Sequence, residues 1–183
     1  MSAPRTDAVR PGVTVRRAAP GDAARLSLVG SATFLDSYAH LLPAEDILAH
    51  TAKQHAQEQY ARWLNDAASA CWLAEHETGQ APVGYAVVTP PDLPLADVGE
   101  RDLEIRRIYV LHRYQGEGLG RRLMRTIDAH AVAAGATRLL LGVYSRNDAA
   151  LAFYDRLGFI RAGTRQFRVG AHEYFDHILQ RIL

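Results

Sequence analysis

The groups best suited to chemistry in this chain fall in two short stretches. The first is Gln115-Gly116-Glu117-Gly118-Leu119-Gly120, followed by Arg121 and Arg122. Glycines that open a helix let successive backbone N–H groups converge on one point, and the helix N-terminus adds about half a positive charge there. Phosphate is the natural guest. Arg121 and Arg122 in the first turn oppose the helix dipole, and a bound anion would relieve that cost. Two commoner phosphate loops do not fit. A dinucleotide fingerprint needs G-x-G-x-x-G, whereas these glycines run G-x-G-x-G with Arg at 121. A P-loop needs Gly-Lys-Ser/Thr, which the chain lacks. A tight strand-to-helix turn without a ligand is the alternative reading of the glycines alone.

The second stretch runs from Asn147 through Ala150, Phe153 and Tyr154 to Gly158-Phe159. Ala150 and Tyr154 are four apart and share a helix face, and the small Ala150 leaves room for a ligand. A phenol of pKa ~10 can hand a proton to a leaving group. Alone, Asn147 also reads as an N-cap and Tyr154 as a core aromatic. Glu104, beside the slip in the central strand, reads on its own as a surface ion pair with an Arg, and His112 lies in the loop beside the glycine turn.

The elements that position these groups follow from periodicity. Leu103 and Ile105, then Ile108 and Val110, are spaced by two, as one buried strand face requires. Between the pairs the alternation slips by one residue, at Arg106 and Arg107. A β-bulge there would absorb the extra residue and bend the strand, which predicts a strand that splays from its neighbour afterwards. After the glycine turn, Leu119, Leu123, Ile127 and Ala131 form one helical stripe, with Gly135 as the stop. Around this centre the pattern predicts a strand at 13–17, a helix from an Asp22 cap to about Asp36, and a helix from Pro43 at N1 to about Leu64. Strands follow at 70–75, 83–88 and 139–143, the last buried on both faces. A helix at 147–157 and a hairpin about Gly170 complete the chain. Residues 1–12 are expected to be a disordered leader, and 13–183 a single domain.

Composition bounds the rest. The 183 residues are 48% apolar and 22% charged, which excludes a disordered chain. A net charge of +1 argues against a dedicated nucleic-acid binder. The one cysteine, Cys71, cannot form an intrachain disulfide and reads as a buried bystander. No apolar run is long enough to span a membrane and no secretory segment is evident, so a cytoplasmic protein is expected. No metal is expected.

The pattern Q-x-x-G-x-G directly after a bulged strand resembles the acetyl-CoA pyrophosphate loop of the GCN5-related N-acetyltransferases (GNAT). Asn147 to Phe159 is similar to that family's N-x-x-A-x-x-F-Y-x-x-x-G-F at every marked position. The resemblance covers nearly the whole chain after residue 12. It implies an α/β fold with a mixed, mostly antiparallel central sheet, splayed central strands and flanking helices. It implies acetyl-CoA as co-substrate, held by Gln115, Gly116, Glu117, Gly118, Leu119, Gly120 and Arg121, by the strand backbone at Ile108, Tyr109 and Val110, and by Asn147. Tyr154 would protonate the leaving thiolate. Some members carry a Glu five residues before the motif Asn, but here that position is Gly142; other members use a Glu on the central strand, which implies Glu104 as the general base, with His112 as a further candidate. Segments 33–43 and 167–179 look like PaiA-type spermidine/spermine acetyltransferases. Phe34 and Tyr38 would line the acceptor slot, and Asp36, Glu45, Asp46 and Glu104 would attract a cationic amine. The expected activity is acetyl transfer to a primary amine, either a small molecule such as a polyamine or a protein amine. The alternative is a non-catalytic acyl-CoA sensor on the same fold. A homodimer is common in similar proteins.

Overall fold

The structure is a computed structural model and describes residues 12–169 and 172–183. The leader expected at 1–12 therefore lies, except for Gly12, outside the described residues, as does the hairpin turn at Gly170. The elements run β1 (Val13–Arg17), α1 (Ala23–Tyr38), α2 (Ala44–Gln54), α3 (Gln57–Asn65), β2 (Ala70–His76), β3 (Pro82–Thr89), β4 (Asp102–Val110), α4 (Leu119–Ala133), β5 (Arg138–Tyr144), α5 (Asp148–Asp155), β6 (Ile160–Val169) and β7 (His172–Ile182). The strands make one seven-stranded sheet in the order β1-β2-β3-β4-β5-β7-β6. Among the described residues only the β4–β5 pair is parallel, so the sheet is mixed and mostly antiparallel.

Alternation along the strands divides the core between two faces. Trp72, Ala86, Val88, Ile105, Leu139 and Leu141 turn to one face and meet Leu123, Ile127 and Ala131 of α4. The α4 stripe is fully buried, and each such Leu or Ile contributes about 1.5–3 kcal/mol. Cys71, Leu73, Tyr85 and Val87 turn to the other face and meet Leu26 and Val29 of α1 and Tyr60 of α3. Cys71 is 1% exposed, and burial pushes its thiol up to about 12, as fits a bystander.

The bulge falls where the periodicity slips. Val87 pairs with Arg107 and Val88 with Ile105, so Arg106 is the inserted residue. Parallel pairing between β4 and β5 covers only Asp102 to Glu104 against Arg138 to Leu140. Beyond Ile105 the two strands part, and a gap opens toward their C-terminal ends.

The helix expected from Pro43 to Leu64 is instead two. Pro43 is the N-cap of α2 rather than its first residue, and α2 ends at Gln54. At Ala56 the backbone turns extended, with φ −58° and ψ 144°. The cause lies at His55, whose ring is 3% exposed and 2.9 Å from the Tyr60 hydroxyl, while its carbonyl accepts the Ser27 hydroxyl at 2.6 Å. Neither Gly nor Pro marks this break. The first helix also runs on to Tyr38, one half-turn past Asp36.

Candidate active site

The gap between β4 and β5 exposes backbone. The Leu111 N–H donates to the Val83 carbonyl at 2.9 Å. Antiparallel ladders alternate, so Arg107 and Tyr109 also turn their backbone groups to β3. Ile108 and Val110 turn theirs to the open side, where no strand meets them. The Val110 carbonyl accepts the Gln115 side-chain amide at 3.0 Å, so the first residue of the glycine motif ties the turn to the splayed strand.

The turn itself forms a cradle. Gly116 has φ +79° and Gly118 φ +83°, in the left-handed region that a side chain resists. A Cβ on either would meet nothing within 4 Å, so the space above the loop is open to a guest. Gly118 caps α4, and the N–H groups of the first turn point into that space. Their convergence with the dipole suits a pyrophosphate. Leu119 is 3% exposed and packs with Val13, Ala74 and Val83, so it anchors the helix start and offers the guest only its backbone. Arg122 donates to the Val13 carbonyl at 2.8 Å, whereas Arg121 is exposed and Glu117 half-buried.

Across the gap, Asn147 caps α5 by accepting the Ala150 N–H at 3.1 Å and also lines the cleft. Tyr154 is 8% exposed, with its ring edge-on to Phe153 and Phe159. Burial, helped by Tyr109, pushes its phenol above the usual tyrosine range. Tyr38 shifts the same way, first through Tyr109 and then through burial. Tyr38, Tyr109 and Tyr154 thus converge on one cleft of about 340 Å³, at the small end of ligand sites. Ile108 lines it too, and Phe34 stacks on His50 at 4.1 Å along one wall.

The acidic residues expected to draw a cationic acceptor lie elsewhere. Glu104 is 2% exposed but does not line the cleft. It accepts the Asp92 N–H at 2.7 Å and lies 3.2 Å from the Arg106 guanidinium, so it ties the loop after β3 to the bulge. Asp36 accepts the His112 N–H at 2.7 Å, Asp46 pairs with His172 at 2.6 Å, and Glu45 is exposed.

The carboxylate that does line the cleft is Asp176 of β7, at 4% exposure. Its Oδ2 accepts from Arg165 Nε at 3.0 Å, and Nη2 lies at 2.9 Å. Its Oδ1 is buried without a hydrogen-bond partner. Burial raises its pKa above the usual carboxylate range, against the pull of Arg165. Sequence reasoning missed this residue because an Asp in an alternating hairpin reads as a solvated face. Gly142 held the clue. A Cβ there would lie 2.7 to 3.0 Å from the Arg165 guanidinium, so that guanidinium fills the space a side chain at 142 would take. Asp176 is its counter-ion, on the neighbouring strand β7.

Comparison with known proteins shows the family and the fold. Residues 35–159 match the Acetyltransferase (GNAT) family. An uncharacterised N-acetyltransferase of Mycobacterium tuberculosis (strain H37Rv) is 34% identical over 162 residues, which is 88% of this chain and 98% of that protein. The N-alpha-acetyltransferase RimI of the same organism is 39% identical over 105 residues, covering 53% of this chain and 59% of RimI. The PaiA N-acetyltransferase of Thermoplasma acidophilum, solved in complex with coenzyme A, superposes with a TM-score of 0.73 over 93% of this chain and 99% of its own. At 15% identity that likeness is one of fold.

Proposed function

The chain belongs to the GNAT acetyltransferase family and is an acetyl-CoA-dependent acetyltransferase, and from that premise we propose that it acetylates a small primary amine by direct attack in the β4–β5 cleft. The observation that carries this reading is the meeting of unpaired β4 backbone at Ile108 with Asn147 and Tyr154 in one cleft, while the Gly116–Gly120 turn that follows the same strand leaves open space above its backbone. The Gly116–Gly120 loop and the first turn of α4 would hold the pyrophosphate of acetyl-CoA. The open backbone of Ile108 and the Val110 N–H would hold the pantetheine arm as an added strand does. Acetyl-CoA supplies a thioester carbonyl that an amine can attack.

An amine with pKa ~10 arrives as ammonium and must lose a proton before it attacks. We assign that proton to Asp176, which lines the cleft and whose buried Oδ1 lacks a hydrogen bond. As the C–N bond forms, the carbonyl oxygen gains charge, and the Ile108 N–H on the open side of β4 would donate to it. The C–S bond then breaks. Tyr154 holds its proton throughout the neutral range and offers it to the departing sulfur. The second proton on nitrogen replaces it as the amide forms, so the products are an N-acetyl amine, CoA thiol and one proton.

CoA release measured across a panel of primary amines, with wild type and Tyr154→Phe side by side, tests the proposal. Wild type is expected to release CoA with at least one amine. The variant should bind acetyl-CoA normally and lose turnover by roughly 10²-fold, the low end for a general acid. A leaving thiol of lower pKa should partly rescue it. Wild-type turnover by Tyr154→Phe would make Tyr154 a packing residue. Tight acetyl-CoA binding with no CoA release from any amine would favour a sensor over an enzyme.

A further inference from the structure

Among the described residues, the charged groups lining the cleft are Arg106, Arg107, Arg165, Arg168 and Asp176. Three of the arginines have acidic partners. Arg106 meets Glu104 and Asp92, Arg165 meets Asp176, and Arg168 meets Glu173. Arg107 pairs with no carboxylate among the described residues. Its Nη1 donates to the Tyr60 hydroxyl at 2.8 Å and lies 3.0 Å from His55 Nδ1. Its guanidinium sits over the Trp63 ring at 5.0 Å and the Tyr60 ring at 5.5 Å. All these neighbours are neutral. Burial first, and Arg107 second, hold the His55 pKa down to about 2 and that of His50 to about 4. One end of the cleft therefore carries a desolvated positive charge with no counter-ion, an arrangement that an entering anion would relieve.

We propose that Arg107 is the docking point for a carboxylate on the acceptor, which makes the acceptor a small amino-carboxylate rather than a polyamine. This rests on the acetyl-transfer reading. Both hydrogen bonds of Arg107 use Nη1, and the Nε–Nη2 edge is the one that grips a carboxylate with two parallel bonds. The placement suits a molecule with both charges. Arg107 and Tyr109 lie on the α1–α3 face of the sheet, where Tyr109 packs with Tyr85 and Tyr60. Asp176 pairs in register with Tyr144, whose neighbour Val143 is buried on the α4 face. Asp176 and Arg107 thus present to the same side of the sheet. Asp176 would take the ammonium and Arg107 the carboxylate, in a cleft that the Phe34–His50 stack also lines.

The test compares, with the intact wild-type protein, amino acids against their own amides and against spermidine as acceptors. The acids are expected to show kcat/KM about ten- to a hundredfold above their amides, the range for a hydrogen bond to a charged group. Arg107→Gln should collapse that ratio to within about twofold by raising KM for the acids, and Arg107→Lys should restore part of it. Calorimetry with acetyl-CoA shows whether each variant keeps its fold and its cofactor site. If Arg107→Gln does not fold, the acid-to-amide ratio in wild type still decides. Amides or spermidine used as well as the acids by wild type would overturn the proposal, as would a preference that survives Arg107→Gln. Acetyl-CoA binding without acetylation of any amine would instead overturn the transfer reading, and this inference with it.

Discussion

Asp176→Asn removes one charge from the cleft and almost no volume. Asn can present its carbonyl oxygen to Arg165 where Oδ2 now accepts at 3.0 Å. The Arg165 side chain keeps 27% exposure and can turn to water, so its lost partner costs about 1 kcal/mol of stability rather than the several expected of a sealed pair. The chemistry should suffer far more. An amide cannot accept the ammonium proton, and loss of a general base costs 10²- to 10⁴-fold. We expect about 10²-fold at pH 7, because water can carry the proton away more slowly. The pH profile separates a base from a packing residue. Burial holds the folded pKa of Asp176 above the ordinary carboxylate range. The acidic limb of wild-type kcat/KM should therefore lie above pH ~3.9 and vanish in Asp176→Asn. Asp176→Glu should keep the limb at a reduced rate. The assay is CoA release with a confirmed acceptor, beside acetyl-CoA calorimetry to show an intact cofactor site. An Asp176→Asn protein that turns over at the wild-type rate, or one that keeps the acidic limb, would refute the assignment.

Two further predictions concern the cradle and the buried histidines. Gly118→Val forces a branched side chain to adopt φ +83° in the space above the loop; it should abolish acetyl-CoA binding by calorimetry with the far-UV spectrum unchanged, and wild-type affinity in the folded variant would remove the loop from the site. His55 is held neutral in the fold, with a pKa near 2 against 6.5 unfolded, so its contribution is fully present above pH 6.5 and is lost as pH falls below it. Between pH 6.5 and 5 the unfolding free energy should drop by roughly 2 kcal/mol from this group alone, and His55→Gln should flatten that slope in denaturant titrations; an equal slope in the variant would mean that the ring is not the titrating group.

The centre of the fold was legible because its signals are local. A one-residue slip between Ile105 and Ile108 can be satisfied only by a bulge, and Arg106 is that bulge. Glycines at 116 and 118 need left-handed backbone, and both have it. The break at His55 was not legible, because a buried hydrogen bond to Tyr60 makes it, with no helix-breaking residue. The same limit hid the acceptor side. Asp36, Asp46 and Glu104 looked available in the sequence, yet each is engaged by a partner distant along the chain or across a turn. Asp176 and Arg107 looked like ordinary strand charges. Their significance depends on what pairs with Arg165 and on what fails to pair with Arg107, and only the assembled sheet decides that.

The inserted Arg106 links the two halves of the site. Ile105 packs on the α4 face, and without an extra residue the two-residue period would bring Arg107 and Tyr109 to that same face. The bulge resets the phase. Ile108 and Val110 then join Ile105 beside α4, while Arg107 and Tyr109 turn to Tyr60 and Tyr85. That rotation keeps a guanidinium out of the apolar core and delivers it to the acceptor end of the cleft. The same bend ends the pairing of β4 with β5 at Glu104, which frees the backbone of Ile108 and Val110. In the proposed site, one residue therefore both opens the cofactor slot and charges the acceptor slot. Glu104 belongs to this device: by bonding Arg106 and the Asp92 N–H it fixes the bulge in place. Its carboxylate is taken up by these two partners, and Glu104 does not line the cleft.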